Sequence, residues 1–498
     1  MSHELETSAC PPQRAGAARS ETDAADIAMA RAKLAGLPQA ATTHTRGTAE
    51  YRALDAAHHL HPFSDMGTLN QIGSRVIVKA NGVYLWDSDG NRIIDGMAGL
   101  WCVNVGYGRQ ELADAAYRQM RELSYYNTFF KTTHPPVIEL SALLADLAPE
   151  PFNHFFYCNS GSEGNDTVLR IVHRYWATQG RPDKKYVISR RNAYHGSTIA
   201  GATLGGMDYM HEQMPAKVDH IVHIGQPYFY GEAPADMTPE AFGLARAREL
   251  EAKILELGAE NVAAFIGEPF QGAGGVIFPP SSYWPEIERI CRKYDVLLVA
   301  DEVIGGFGRT GEWFAHRYFG VSPDLMTLAK GLTSGYVPMG AVAIHDRIAR
   351  ALIDNGEFNH GLTYSGHPVA AAVAIANLKL LRDEGIVERV RHEAGPYFQR
   401  CLREAFDGHP IVGEVVGAGL VAGLQLAEDP RARKRFADGA EVGLLCRDFC
   451  FNGNLIMRAT GDRMVLSPPL VVTHDEIDEI VAKAKTAIDA TAKQLGLP

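Results

Sequence analysis

The strongest constraint on this chain is a series of short apolar runs, each released into a polar loop. Residues 155–158, 186–188, 262–266, 296–300 and 325–328 are strand-sized. Between the first two, Val168, Ile171, Val172, Tyr175 and Trp176 recur on one helical stripe, and residues 284–294 form another helix before the run at 296. Strands separated by helices, with polar loops at their carboxyl ends, predict an α/β fold with a mainly parallel sheet flanked by helices. Upstream, residues 76–79 and 83–87 flank a hairpin-like turn, Ala80-Asn81-Gly82, and Asp89-Gly90 offers a second turn before 92–95. After Ser365 the text turns to long helices, with strands near 421–426 and 464–466. A smaller α+β domain built from both chain ends fits this. The expected division is a flexible arm 1–45, the N-terminal part of the small domain 46–98, a large domain 99–370, and the C-terminal part of the small domain 371–498.

Composition narrows the function classes. Of 498 residues, 48 are Lys or Arg and 59 Asp or Glu, so the net charge is −11. This acidic balance argues against a nucleic-acid or anionic-membrane surface. No apolar run approaches the length of a membrane-spanning helix. The seven cysteines are odd in number and show no CxxC, so reduced thiols in a cytoplasmic protein are the simplest reading. The N-terminus lacks an apolar core for a secretory signal, and Glu4, Glu6, Glu21, Asp23 and Asp26 make it a poor transit peptide. His58-His59-Leu60-His61 suggests a metal at first sight, but no Cys or acid cluster adjoins it in the text, so no metal site is expected.

Three strand-end loops carry the chemistry. Ser160-Gly161-Ser162-Glu163 follows the first run and fits a capping box, whose helix start would offer N–H groups to an anion. Asp301 follows the run 296–300, where open α/β sheets face a ligand crevice; it needs a cationic partner, and a neighbouring Arg would be the choice if Asp301 stood alone. Lys330 follows 325–328, and burial there would lower its pKa and make it a nucleophile. An anion cup, a carboxylate and a lysine are what pyridoxal phosphate requires, for its phosphate, its ring nitrogen and its aldehyde. Tyr194, on a further loop, could stack on the ring.

With these loops, further motifs resemble the class III aminotransferases, the fold-type-I pyridoxal-phosphate family. They are Ser160-Gly161-Ser162-Glu163, Tyr194-His195-Gly196-Ser197, Gly267-Glu268-Pro269, Asp301-Glu302-Val303 with Gly306-Phe307-Gly308-Arg309-Thr310-Gly311, Leu328-Ala329-Lys330-Gly331 and Thr363-Tyr364-Ser365-Gly366. The resemblance covers roughly residues 50 to 490. It implies that Lys330 bonds the cofactor aldehyde and Asp301 pairs with the ring nitrogen. It also implies that Val303 packs on the ring, Tyr194 stacks on it, Gly161 and Ser162 bind the phosphate, and Glu268 supports the site. Thr363 should reach the phosphate of a neighbouring subunit, which makes the enzyme a homodimer or a dimer of dimers.

Within the family, the runs 95–108, 126–130 and 454–458 are similar to the ω-aminotransferases of amine:pyruvate and putrescine:pyruvate type. That likeness implies a ping-pong transfer from a primary amine such as putrescine, β-alanine or an aryl-alkyl amine to pyruvate. Trp101 would line the pocket and Arg458 would meet the acceptor carboxylate. Ornithine- and GABA-type members usually carry Gln at the position of Ile304 and Arg at that of Leu466. Gly305 and Leu362 stand where Cys and Phe are common in near relatives. Aminomutase and decarboxylase chemistry start from the same cofactor and are the alternatives within the fold. A nicotinamide-dependent dehydrogenase is the alternative outside it, because residues 306–311 read GxGxxG; but Asp301 and Glu302 lie between the strand and the glycines.

Overall fold

The computed structural model describes residues 45–149, 151–437 and 439–497. The expected N-terminal arm, with Cys10, therefore lies outside the described residues apart from its last position. The chain divides into a compact unit ending at Val78 and a second unit, Lys79–Pro498. In the first unit two helices, Thr48–His58 and Met66–Ile72, precede the strand Ile77–Asn81, which crosses the boundary. Asp65 caps the second helix by accepting hydrogen bonds from the N–H groups of Gly67 and Thr68.

The second unit is organised around a seven-stranded sheet: β1 (Phe152–Cys158), β2 (Tyr186–Arg190), β3 (Ile221–Ile224), β4 (Val262–Gly267), β5 (Leu297–Asp301), β6 (Leu325–Leu328) and β7 (Gly340–His345). Their order is β1-β7-β6-β5-β4-β2-β3. β3, β2, β4, β5 and β6 pair in parallel, while β7 runs antiparallel to both β6 and β1. This is the α/β architecture expected. β7 and β3 are the strands that the sequence reading left out.

Alternation along the central strands explains their continuous apolar text. Ala264, Ile266 and Val299 face the helix α1 (Gly161–Thr178), whose Val168, Ile171 and Val172 are buried against them. Phe265, Leu298 and Ile188 face the opposite way, onto Trp284, Ile287 and Ile290 of the helix Tyr283–Lys293. A strand covered on both faces has no solvated side, so every position is apolar. Polar residues gather toward the carboxyl ends instead: Ser189 and Arg190 in β2, Asp301 in β5 and Thr327 in β6.

The rest of the unit carries two smaller sheets. Tyr84–Asp87 pairs antiparallel with Arg92–Asp95, which pairs in parallel with Leu455–Ile456. Val412–Ala418, Val421–Leu426, Arg463–Leu466 and Arg458–Thr460 form an antiparallel sheet in that order. One face of it, with Ala422, Leu424, Met464 and Leu466, shares an apolar core with the long helices Pro368–Asp383, Gly395–Phe406 and His474–Gln494, while Val421 and Val465 on the other face pack in a cluster with Trp101. Cys446 and Cys450 are buried on the helix Val442–Asn452, and all six described cysteines are free thiols. Among the described residues no helix is long and apolar enough to cross a membrane.

Candidate active site

The carboxyl ends of β1, β2, β4, β5 and β6 converge on one edge of the sheet, and each contributes to one cluster. β1 leads into the start of α1. Ser160 caps this helix, its hydroxyl accepting from the N–H of Glu163 at 3.2 Å. The reciprocal bond expected of a capping box lands one residue earlier: Glu163 Oε2 accepts from the backbone N–H and the side-chain amide of Asn159, at 2.7 and 2.9 Å. The first-turn N–H groups of Gly161 and Ser162 have no intrahelical acceptor and point to the positive end of the helix dipole. The loop after β2 closes onto this turn. Gly196 has φ 127°, and a Cβ there would lie 2.6 Å from Ser162 Oγ and 2.7 Å from Ser162 Cα. Ser197 donates its N–H to Ser162 Oγ at 3.1 Å. A Cβ on Gly161 would lie 2.7 Å from Val303 Cγ2, so Val303 packs directly against the helix start.

Asp301 ends β5 and is 4% exposed. No arginine pairs with it among the described residues. Its Oδ2 accepts from His195 Nδ1 at 2.7 Å and from Asn165 Nδ2 at 2.8 Å, and its Oδ1 accepts from the N–H of Val303 at 3.1 Å. Asn165 is held in turn, donating to the carbonyl of His195 and accepting from Thr327 Oγ1. In place of the neighbouring Arg that Asp301 taken alone would suggest, a buried imidazole and a carboxamide fix the carboxylate. His195 and Asn165 belong to the cluster, and the sequence alone does not bring them together. Asn165 lies one helical turn past Gly161, and His195 follows the Tyr194 singled out for stacking.

Glu268, just past β4, is also 4% exposed. Its oxygens accept from the N–H groups of Tyr194 at 3.4 Å and Gly272 at 3.1 Å. Burial pushes its carboxyl up to about 7, against the pull of His195 and Arg190 and with help from the Asp301 charge. Lys330 follows β6 at φ 45°, at the start of a single 3₁₀ turn, and is half-buried. Burial pushes its ammonium down from the usual lysine range, with Asp301 opposing. Its Nζ makes no hydrogen bond or ion pair among the described residues and lies 5.8 Å from the centroid of the Trp101 ring.

Trp101 is 2% exposed, and Arg458 reaches the same ring, its Cζ 5.8 Å from the centroid. The Arg458 guanidinium is half-buried and has no acid partner among the described residues. Burial pushes it down, opposed by Tyr209 and Tyr194. Tyr209, half-exposed on the short helix Asp208–Glu212, is a further neighbour that the sequence did not disclose. Tyr194 is half-buried, its hydroxyl 3.0 Å from Ser197 Oγ. Ile304 packs with Trp101 around Gly272, and Gly305 has no room for a side chain, because a Cβ would lie 2.6 Å from Ala315 Cβ and 2.7 Å from Glu302 Oε2. Leu466 is fully buried. Among the described residues, Thr363 makes no hydrogen bond to this cluster. It is exposed, and its carbonyl accepts from the Tyr125 hydroxyl at 2.7 Å.

The donor set fits pyridoxal phosphate on structural grounds. It offers an unpaired amine, a carboxylate fixed from two sides, and a helix start where glycines at 161 and 196 keep side chains away from the N–H groups. The dehydrogenase alternative loses its geometry, since residues 306–311 form turns and open no helix. The first unit holds a different cluster: His59 Nδ1 and His61 Nε2 lie 3.1 and 2.9 Å from Asp55 Oδ1, and Ser74 Oγ donates to Asp55 Oδ2 at 2.7 Å. Asp55 is an acid beside these histidines that the text of the segment itself does not show, because it sits one helical turn earlier.

The sheet-edge cluster is that of a pyridoxal-phosphate enzyme of the fold-type-I class. The chain belongs to the aminotransferase class III family, whose pattern matches residues 68–488. It is 59% identical over 445 residues to the putrescine–pyruvate aminotransferase of Pseudomonas aeruginosa, covering 89% of this chain and 97% of that protein. It is similar to the crystal structure of an (S)-enantioselective ω-transaminase from Thermomicrobium roseum, with 42% identity, a TM-score of 0.86 and coverage of 90% and 100%. The ω-transaminase of Pseudomonas jessenii, solved in complex with PMP, matches with 40% identity, a TM-score of 0.86 and coverage of 89% and 99%.

Proposed function

We propose that this aminotransferase moves an amino group from a primary amine, such as putrescine, β-alanine or an aryl-alkyl amine, to pyruvate in ping-pong order. When bound, pyridoxal phosphate supplies an aldehyde for the amino group and a ring that takes up the electrons released when the donor C–H bond breaks. The Lys330 amine would hold the cofactor by its aldehyde and, as a free amine beside the donor carbon, would serve as the base that moves its proton. Its unpaired, desolvated state favours the neutral base. Asp301 holds the proton at the ring nitrogen, and His195 and Asn165 keep its carboxylate aimed. Gly161 and Ser162 offer N–H groups to the phosphate, Tyr194 and Val303 flank the ring, and Glu268 supports the loop 194–197. Thr363 reaches the phosphate of a second subunit, in a homodimer or a dimer of dimers. The division into a large domain 99–370 and a small domain from 46–98 and 371–498 belongs to the same reading. So does a cytoplasmic location, which the free thiols fit.

The observation that carries the choice of substrates is the unpaired Arg458 guanidinium, which meets the same Trp101 ring as Lys330, each 5.8 Å from its centroid. One pocket must accept an uncharged substituent in one half-reaction and a carboxylate in the other. An arginine with no resident acid can take the carboxylate with a two-pronged charge-assisted bond and leave the apolar Trp101 face to the amine. Arg458→Ala should slow the half-reaction with pyruvate about 100-fold and the one with a simple amine far less, since a charge-assisted pair contributes about 1.5–3 kcal/mol. Single-turnover absorbance of each half-reaction reads this directly. Equal losses in both would reject the assignment.

A further inference from the structure

One carboxylate holds the turn that delivers Trp101. Ala98 at φ 48°, Gly99 at φ 66° and Trp101 at φ 63° all adopt left-handed backbone, which residues bearing a Cβ disfavour. Such a turn persists only where its surroundings over-determine it. Asp95, fully buried, supplies the restraint. Its Oδ1 accepts from the N–H of Met97 at 2.9 Å; its Oδ2 accepts from the N–H of Gly99 at 2.6 Å and from the hydroxyl of Tyr107 at 2.7 Å. Trp101 closes the turn by donating its N–H to the carbonyl of Met97 at 2.9 Å. Tyr107 is itself anchored, exchanging two backbone hydrogen bonds with Gly82.

The same place joins the other wall of the pocket. Asp95 pairs in parallel with Ile456, two residues before Arg458. The carbonyl of Gly96 accepts from the N–H of Ser467 at 2.6 Å, and a Cβ on Gly96 would lie 2.6 Å from the Ile456 carbonyl oxygen. The strand that brings Trp101 and the strand that brings Arg458 therefore meet at Asp95 and Gly96.

We infer that Asp95 is a positioning residue for the substrate side of the pocket: its carboxylate fixes the 97–101 turn and thereby holds the Trp101 ring beside Lys330 and Arg458. The inference rests on the reading of Trp101 and Arg458 as substrate-side groups. Acceptor-only chemistry is the reason for an acid here. Three donors converge on two oxygens, whereas an asparagine would turn an NH₂ against one of them.

The test compares Asp95→Asn and Tyr107→Phe with wild type as full-length holoenzyme, in Trp101 and Trp101→Phe backgrounds. For an aryl-alkyl amine, Asp95→Asn should raise KM about tenfold or more, as expected of a misplaced binding group. Its kcat at saturation and its cofactor absorbance should stay within about twofold, the pattern of lost uniform binding. Tyr107→Phe should shift KM in the same direction by less. Acrylamide quenching of tryptophan fluorescence should increase in Asp95→Asn, and that increase should vanish in the Trp101→Phe background. Unchanged KM and unchanged quenching in a folded Asp95→Asn protein would overturn the inference. So would an increase in quenching that survives Trp101→Phe, which would make the effect general rather than routed through Trp101. If Asp95→Asn does not fold, Tyr107→Phe decides by the same readings. If wild type turns over no amine, the proposed function fails on its own, and the quenching comparison still decides the role of Asp95.

Discussion

Glu268 and Lys330 are both ionisable groups taken out of water, and each is shifted toward its neutral form. For Glu268 the consequence is a pH-dependent stability. Its carboxyl rises from an ordinary 4.5 to about 7 on folding. Below about 4.5 the group is protonated in both states and costs nothing. Between there and about 7 the folded chain keeps a proton that the unfolded chain has released, so stability falls as pH rises, and it levels off above. Glu268→Gln keeps the neutral shape and should remove this fall. The difference in denaturation midpoint between the variant and wild type, both without cofactor, should grow in the variant's favour from pH about 4.5 to about 7 and then stay constant. A difference independent of pH would show that Glu268 is not neutral in the fold. Lys330 and Asp301 were legible in the sequence because each directly follows an apolar run, and strand ends are the sites of polar function in such sheets. The partner of Asp301 was not, because it comes from β2 and α1 through space. A sequence discloses that a buried carboxylate needs a donor, but not whether it is Arg, His or Asn.

At the scale of elements, periodicity revealed what is periodic. The stripe in α1 and the runs that became β4, β5 and β6 are covered by the fold as their spacing predicts. β7 is not legible in the sequence although residues 340–344 are all buried, because only the 3₁₀ turn Lys330–Leu332 and a loop separate it from β6. A strand that returns antiparallel to its predecessor breaks the alternation by which the others were recognised. The approach of the 194–197 loop to the start of α1 was equally hidden, since it depends on a glycine whose need shows only in three dimensions. Gly196 combines φ 127° with a Ser162 contact that leaves no space for a methyl group. Gly196→Ala should therefore cost about 1–3 kcal/mol in backbone strain alone. It should also weaken cofactor retention, because in the proposed reading the displaced element is the phosphate cup. Urea denaturation of the apoprotein reads the first effect and cofactor release on dialysis the second. A destabilised protein that retains its cofactor as wild type does would separate this loop from the phosphate.

The whole molecule raises the question of what the exposed loop around Thr363 is for. Tyr364 is 57% exposed, and its ring meets those of Tyr125 and His367 at 5.7 and 6.2 Å. Phe130, at 90%, and Leu100, at 60%, are exposed as well. In the reading proposed above, a two-fold interface covers such a loop, and each Thr363 reaches the phosphate in the other subunit's site, so the same contact forms twice. Two inactive variants test this together. Lys330→Ala lacks the amine in its own site but presents an intact loop. Thr363→Glu keeps the amine but presents a carboxylate to the partner's phosphate, which like-charge repulsion excludes. In a mixed dimer one site joins the intact Lys330 to the intact loop, and the other has neither. Subunits exchanged at equal concentration should therefore regain about a quarter of the wild-type rate, because half the dimers are mixed and one site in each works. Cofactor that binds only the dimer should also shift the association equilibrium toward dimer by mass action, visible in sedimentation as tighter association of the holoenzyme than of the apoprotein. No recovery after demonstrated exchange, or full activity in a monomer, would place the phosphate site wholly within one chain.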